Sequence, residues 1–162
     1  MRRNSRIGIC LTAALVWVLG TSAGAVEKYL LTIVNNQENE LPSRLTDSDL
    51  LALPQISFTT STPWTETPAT FSGPTLDSVL QYYNIREGVL KLTAANRYEI
   101  EVPWDYIEDS SPIIANRING EPFSIREKGP LWLIFPFDAD QRYRSFEVHS
   151  MAIWQLIRID VN

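Results

Sequence analysis

The chain has 162 residues, with 14 basic and 19 acidic side chains, a net charge of −5 and a single cysteine, Cys10. An acidic chain lacks the basic face that nucleic-acid binding needs, so no nucleic-acid partner is expected. One cysteine cannot build a disulfide framework or a cysteine-rich metal site.

The first 25 residues have the pattern of an export signal. Three arginines precede an apolar run over residues 7–20, and an Ala-Gly-Ala sequence that ends at Ala25 fits a cleavage site. The run is shorter than the ~20 residues of a membrane-spanning helix, although an uncleaved anchor is the alternative. We therefore expect a signal peptide at 1–25, cleavage near Ala25, and a periplasmic or secreted protein.

Residues 26–162 are expected to form a single domain, since their number is typical of one hydrophobic core. Cleavage would remove three arginines and no acid, which takes the net charge from −5 to −8. It would also remove Cys10, so the remaining chain would contain no thiol for metal binding or nucleophilic chemistry.

The apolar pattern predicts short strands and two short helices. The strands are predicted at residues 26–34, 55–61, 69–72, 89–93, 97–102, 112–118, 131–135 and 153–161. The helices are predicted at residues 50–53 and 76–83, with a single helical turn at 104–108. Residues 143–149 are expected to be irregular, and Gly73-Pro74 is expected to break the chain between strand and helix. The predicted class is α+β, mainly β, with a mixed sheet or barrel-like domain and short inserted helices.

Capping and turn patterns in the sequence locate some of the helix and strand boundaries more closely. Thr46 followed by Asp49 has the spacing of a capping box, with Asp49 in the place of the usual Glu or Gln. Thr75 is expected to cap the second helix. Asn119-Gly120 is a tight-turn dipeptide, and a continuous apolar run over residues 131–135 predicts a buried strand.

The order of these features resembles the molybdopterin-binding domain of the sulfite oxidase type. In its closing half, an "NG-x-P-L" turn leads into "G-x-P-L-R" and a buried strand; Asn119-Gly120 and residues 129–135 follow that order here. Residues 46–56, 73–83 and 89–102 resemble three further blocks of the family. The resemblance covers nearly all of residues 26–162. It implies the fold of that family, whose cofactor is molybdopterin.

The departures from the family pattern concentrate at the cofactor. The family ligates molybdenum through a cysteine just past the strand that corresponds to residues 56–58, and this chain has Thr-Thr-Ser-Thr at 59–62. A protonated hydroxyl is a poor substitute for the thiolate that such a soft centre prefers. The arginine of "G-x-P-L-R" is Trp132 here, and the Gly after the buried strand is Phe137 or Asp138. We therefore expect no cofactor, no metal and no catalytic residue of the family type.

The resemblance implies that aromatic and cationic side chains border the vacated cofactor cleft. The candidate ligand-binding residues are Thr60, Ser61, Trp64, Arg117, Lys128 and Trp132. An aromatic wall with two cations would suit a small anionic or aromatic ligand. The alternative is that Trp132 fills the space of the absent pterin and preserves core packing.

Other chemistry has weaker support. His149 is the only histidine, so a histidine-based metal site is excluded, and a surface or half-buried position is the simpler expectation. A triad of His149 with Ser61 or Ser150 and an acid has no G-x-S-x-G elbow to support it. The acids at residues 105–109 suggest a solvated face, with acid–base work or cation binding as the alternative.

These observations favour an exported, cofactor-free binding or interaction module, which senses a small ligand or serves as an accessory to membrane proteins. One alternative is a genuine periplasmic molybdopterin-dependent oxidoreductase with atypical metal ligation. A hydrolase that uses the same cleft is a third possibility.

Overall fold

The structure is a computed structural model that describes residues 27–37 and 41–162. The predicted signal peptide, residues 1–25, lies outside the described residues. The strands of the described part are β1 Leu31–Asn35, β2 Ser43–Leu45, β3 Gln55–Thr60, β4 Ala69–Pro74, β5 Leu90–Ala94, β6 Glu99–Val102, β7 Ile113–Ala115, β8 Arg117–Ile118, β9 Glu121–Pro122, β10 Trp132–Ile134, β11 Ile153–Trp154 and β12 Leu156–Val161.

The helices are short. The α-helices of the described part are α1 Asp47–Ala52, α2 Leu76–Tyr82 and α3 Phe146–Ser150, and the 3-10 helices are Trp104–Tyr106, Ile125–Glu127 and Gln141–Arg144. The predicted capping box is confirmed, because Thr46 and Asp49 each accept a backbone hydrogen bond from the other. Thr75 caps α2 as expected, by accepting the N–H of Ser78 at 3.0 Å. None of the helices in the described residues has the length and apolarity to cross a membrane.

The strands form three sheets in the described part of the chain. The first has the order β2-β1-β12-β5-β6, the second β3-β4-β8-β9 and the third β11-β10-β7. The pair β1–β12 is parallel, whereas the other strand pairs are antiparallel, so the first sheet is mixed. The predicted class, α+β and mainly β with short helices, is confirmed.

One apolar cluster joins the three sheets and the helices. Alternate residues of β5 point into it, and Leu90, Leu92 and, from β12, Ile159 are fully buried there. Leu76 and Leu80 add one face of α2, at helical spacing. Burial of these side chains supplies the main driving force for folding, at about 25 cal/mol per Å² of apolar surface.

The prediction that Gly73-Pro74 breaks the strand is wrong, because both residues belong to β4. A Cβ added at Gly73 would lie 2.1 Å from the carbonyl oxygen of Ile114 in β7. Glycine therefore serves here to let two backbones approach, rather than to end a strand.

Two predicted long strands are each divided in the structure. The strand predicted at 112–118 separates at Asn116 into β7, which pairs with β10, and β8, which pairs with β4. The strand predicted at 153–161 is interrupted at Gln155, whose φ is 55°. A left-handed residue redirects the chain, so β11 and β12 join different sheets.

The segment 143–149 is helical rather than irregular, contrary to the prediction. The hydroxyl of Ser145 accepts the N–H of Val148 at 3.2 Å and thereby starts α3. Val148 is buried and anchors the helix to the core. The signal was present in the sequence, since a serine three residues before an apolar residue is an N-cap pattern.

Candidate functional site

The resemblance predicts that the end of β3 corresponds to the segment where the family places its cysteine. Thr60 is fully buried, and its Oγ1 accepts the N–H of Asp138 at 3.1 Å. The N–H of Ser61 in turn donates to Oδ2 of Asp138 at 2.6 Å. That bond lowers the pKa of Asp138 below its usual value. The hydroxyl and the carboxylate thus connect β3 to the turn that follows β10.

Trp132 is a core residue, with 2% of its surface exposed. Its ring stacks on Phe123 at a centroid distance of 5.6 Å and an interplanar angle of 15°, and it lies 5.6 Å from Phe71. Its Nε1–H donates to the carbonyl oxygen of Lys128 at 2.9 Å. Because both the ring and its polar hydrogen are engaged internally, Trp132 packs between β4 and the segment before β10 rather than facing solvent.

Trp64 and Lys128 lie next to each other. Nζ of Lys128 donates to the carbonyl oxygen of Trp64 at 3.3 Å and lies 5.9 Å from the ring centroid of Trp154. The ring of Trp64 meets Trp132 edge-on at 6.0 Å. Trp64 is half-buried, so it links the internal aromatic cluster to the surface.

Arg117 is directed toward α1. Its guanidinium donates to both carboxylate oxygens of Asp47, at 2.9 and 2.6 Å, and Asn116 donates to the same carboxylate at 2.9 Å. The Arg117 hydrogen bonds lower the pKa of Asp47, and the carboxylate raises the pKa of Arg117. This bidentate pair fastens α1 to β8. Arg117 lies apart from the surface depressions that Trp64 and Ser61 line.

A groove of about 480 Å³ lies between the β5–β6 turn, α3 and β11. We call it the aromatic groove and define it by Trp64, Asn96, Tyr98, Phe146, His149 and Trp154. Of the six candidate residues, only Trp64 lines it. Tyr98 is 55% exposed and Phe146 is 90% exposed. The sequence contained a signal for Phe146, because it follows the N-cap Ser145, but no local pattern brings it near Trp154.

A second, shallower depression of about 350 Å³ adjoins the groove at His149 and is lined by Ser61, Phe137, Asp138 and Arg144, among others. The imidazole of His149 stacks on Phe137 at 4.2 Å with an interplanar angle of 6°. Ser61 therefore faces a separate surface from Trp132 and Arg117. Of the six candidate residues, the structure brings together Trp64, Lys128 and Trp132. Thr60 is buried, Ser61 lines the second depression, and Arg117 is paired with Asp47.

The hydrogen bonds of His149 do not assemble a triad. Its Nδ1 lies 2.9 Å from the carbonyl oxygen of Ser145, which assigns the proton to Nδ1. The hydroxyl of Ser150 donates to the carbonyl oxygen of Glu147 at 2.6 Å. Each group is thus bonded to the backbone of α3 or its cap and not to the other.

The acid-rich turn at 105–109 is tied to the neighbouring 3-10 helix. Glu108 forms an ion pair with Arg142 at 2.8 Å and accepts the hydroxyl of Tyr143 at 3.0 Å. Tyr143 is buried, and its hydroxyl also lies 2.9 Å from that of Ser111. The carboxylate of Glu108 therefore has a structural role in this network. Within residues 27–37 and 41–162, no cluster of three His, Cys, Asp or Glu side chains has the geometry of a metal site.

The donor atoms at the end of β3 do not fit a molybdenum centre held through a thiolate. The described residues contain no cysteine, and the Thr60 hydroxyl at that position is buried and bonded to Asp138. A soft metal–dithiolene unit prefers sulfur to a neutral hydroxyl. We therefore derive no chemistry through that group.

Comparison with solved structures shows a likeness in fold. The chain is similar to the sulfane dehydrogenase SoxCD from Paracoccus pantotrophus, with a TM-score of 0.61 and 19% sequence identity. The match covers 82% of this chain and 38% of that chain, so this protein spans well under half the length of its structural neighbour. At this level of identity the likeness concerns the fold alone. No protein-family model and no curated protein matches the chain.

Proposed function

We propose that this chain is an exported, cofactor-free binding module that holds a small aromatic or anionic ligand in the aromatic groove. The observation that carries the proposal is the groove itself. Its volume of about 480 Å³ lies within the ~300–1,000 Å³ of small-molecule sites, which are lined mainly by apolar and aromatic side chains with a few polar groups.

The composition of the groove supports this function. Trp64, Tyr98, Phe146 and Trp154 supply aromatic surface, and the amide of Asn96 supplies a polar group. Nδ1 of His149 hydrogen-bonds to the carbonyl oxygen of Ser145, so Nε2 is the ring nitrogen that remains for a ligand. A ligand held here would be recognised by ring contacts and oriented by a small number of hydrogen bonds.

The proposal is tested by a thermal-shift screen of the purified residues 26–162 with aromatic acids, small anions and sugars. A ligand that binds only the native state raises the unfolding midpoint, by an amount that grows with its occupancy. Phe146→Ala should abolish the shift. Tyr82→Ala is the matched control, because Tyr82 is an exposed aromatic residue (67%) outside the groove.

The likeness in fold to SoxCD favours one alternative, a molybdopterin-dependent oxidoreductase with atypical ligation. Metal analysis and pterin fluorescence of protein purified from a molybdenum-competent host distinguish the two. Stoichiometric molybdenum would support the oxidoreductase and contradict a cofactor-free module.

Export is part of the proposal and has its own test. Intact-mass measurement of the protein recovered from the periplasm or medium should show a chain that begins at Val26. Recovery of the full chain in the cytoplasm would contradict it.

A further inference from the structure

The aromatic side chains of the groove surround a gap. The rings of Trp64, Tyr98, Phe146 and Trp154 line one depression, yet no ring contact among the described residues joins any two of these four. Phe146 is 90% exposed at the first position of α3. A phenyl ring kept in water forgoes about 25 cal/mol for each Å² that a partner would cover. The groove therefore presents exposed aromatic surface that a ligand ring would cover.

The charge beside the groove is positive. Nζ of Lys128 lies 5.9 Å from the ring centroid of Trp154 and 3.3 Å from the carbonyl oxygen of Trp64. Lys128 does not itself line the groove, but its ammonium lies next to two residues that do. Lys128 is itself held in place, because its carbonyl accepts Nε1–H of Trp132 and the N–H of Gln155 at 3.0 Å. The backbone of Lys128 is in the left-handed region, with a φ of 65°.

This position of Lys128 bears on the sign of the ligand's charge. Aromatic cages bind quaternary ammonium groups through the negative ring faces. Here the ammonium of Lys128 already interacts with the Trp154 ring, and it would repel a second cation in the groove. A carboxylate, in contrast, would be attracted to the same ammonium.

Resting on the proposed function, we infer that the ligand of the aromatic groove is a planar aromatic carboxylate. Its ring lies between Trp154 and Phe146, and its carboxylate pairs with Lys128. Asn96 and Ser150 line the same depression and offer hydrogen bonds to further polar substituents. The complementarity has two independent parts, flat aromatic surface and one positive charge.

Isothermal titration calorimetry with four probes separates these parts. The probes are 2-naphthoate, its neutral analogue 2-naphthylmethanol, saturated decahydronaphthalene-2-carboxylate, and benzyltrimethylammonium. We expect 2-naphthoate to bind most tightly. The saturated acid should bind about tenfold more weakly, since ring pairs contribute up to about 1.5 kcal/mol beyond area burial.

Two variants assign the contacts. Lys128→Gln should weaken 2-naphthoate about five- to tenfold and leave 2-naphthylmethanol unchanged, because only the first carries a charge. Phe146→Ala should weaken both probes, and Tyr82→Ala neither. Thermal unfolding of each variant confirms that it remains folded.

The outcomes distinguish this inference from the proposed function. Equal binding of the saturated acid, or tighter binding of benzyltrimethylammonium, would overturn the planar aromatic carboxylate while the binding module stands. If Phe146→Ala leaves the affinity for 2-naphthoate unchanged, the ligand binds outside the groove. That result would also overturn the inference. Failure of all four probes, together with a screen that shifts no midpoint, would overturn both.

Discussion

The hydroxyl of Thr60 and the backbone of Asp138 are joined by a 3.1 Å hydrogen bond that connects the end of β3 to the turn after β10. The two segments are far apart in sequence, and Thr60 is fully buried. The buried hydroxyl of Thr60 thus holds two distant segments of the chain together.

Thr60→Val should lower the free energy of unfolding by about 1–2 kcal/mol, because it leaves the N–H of Asp138 without its partner. Urea denaturation of the purified protein measures the change. Thr59→Val is the matched control: Thr59 is exposed, and its hydroxyl meets that of Thr70 at the surface. The control should change stability by less than about 0.5 kcal/mol. Equal effects would show that the buried hydrogen bond has no special role.

Trp132→Ala should destabilise the fold by about 3–5 kcal/mol, since it leaves a cavity between Phe71 and Phe123 and removes the bond to Lys128. Chemical denaturation measures this loss, and Trp132→Phe should retain part of the stability. Phe146→Ala, at an exposed aromatic site, is the control and should have little effect. A well-folded Trp132→Ala protein of near wild-type stability would contradict the structural role of this ring.

Stability should fall as the pH is lowered below about 4, in part through Asp47. The hydrogen bonds from Arg117 place the folded pKa of Asp47 below its ordinary value of 3.8. Between these two pKa values the unfolded chain binds more protons, so stability rises with pH there. The contribution is fully present above 3.8 and is lost as the pH falls through the lower, folded pKa.

Asp47→Asn should reduce the loss of unfolding free energy at acid pH. Urea denaturation from pH 2 to pH 6 measures this dependence. Asp109→Asn, at an exposed site, is the control and should leave the slope unchanged. Since Asp47 and Arg117 keep 31% and 17% of their side-chain surface exposed, solvent screening makes the effect modest. If Asp47→Asn loses stability at acid pH as steeply as the wild type, Asp47 does not contribute to this pH dependence.

Gly73→Ala should be among the most damaging small substitutions, at about 3 kcal/mol or more, because the added Cβ would lie 2.1 Å from a backbone oxygen of Ile114. Thermal unfolding measures the loss. Gly120→Ala is the comparison: no atom lies within 4 Å of an added Cβ there, and only the φ of 85° opposes it. It should cost about 1 kcal/mol. The reverse order would mean that β4 and β7 can separate to admit a methyl group.

Local sequence patterns predicted several features of the secondary structure. The capping box at Thr46, the N-cap at Thr75 and the Asn119-Gly120 turn all appear where their sequence patterns predict them. Asn119 and Gly120 both have positive φ, as a two-residue hairpin loop of this kind requires. These features involve residues within four positions of each other, so a single sequence is sufficient to specify them.

The site could not be predicted in the same way. The resemblance predicts that Trp132 and Arg117 border one cleft. In the structure, Trp132 is stacked in the core and Arg117 is paired with Asp47. The residues that line the groove come from three separate parts of the chain. Phe146 and Trp154 had no pattern that linked them to Tyr98, because their proximity follows from how β11 and α3 pack beside the β5–β6 turn.

The sequence alone determined the class of the fold and the boundaries that have local capping or turn signals. It could do so because these properties depend on residue type and near neighbours. Only the tertiary structure decided that Gly73 lies inside a strand, that Gln155 directs β11 and β12 into different sheets, and where the aromatic groove opens. Those properties depend on contacts between segments distant in sequence, whose geometry is set by the packing of the whole core.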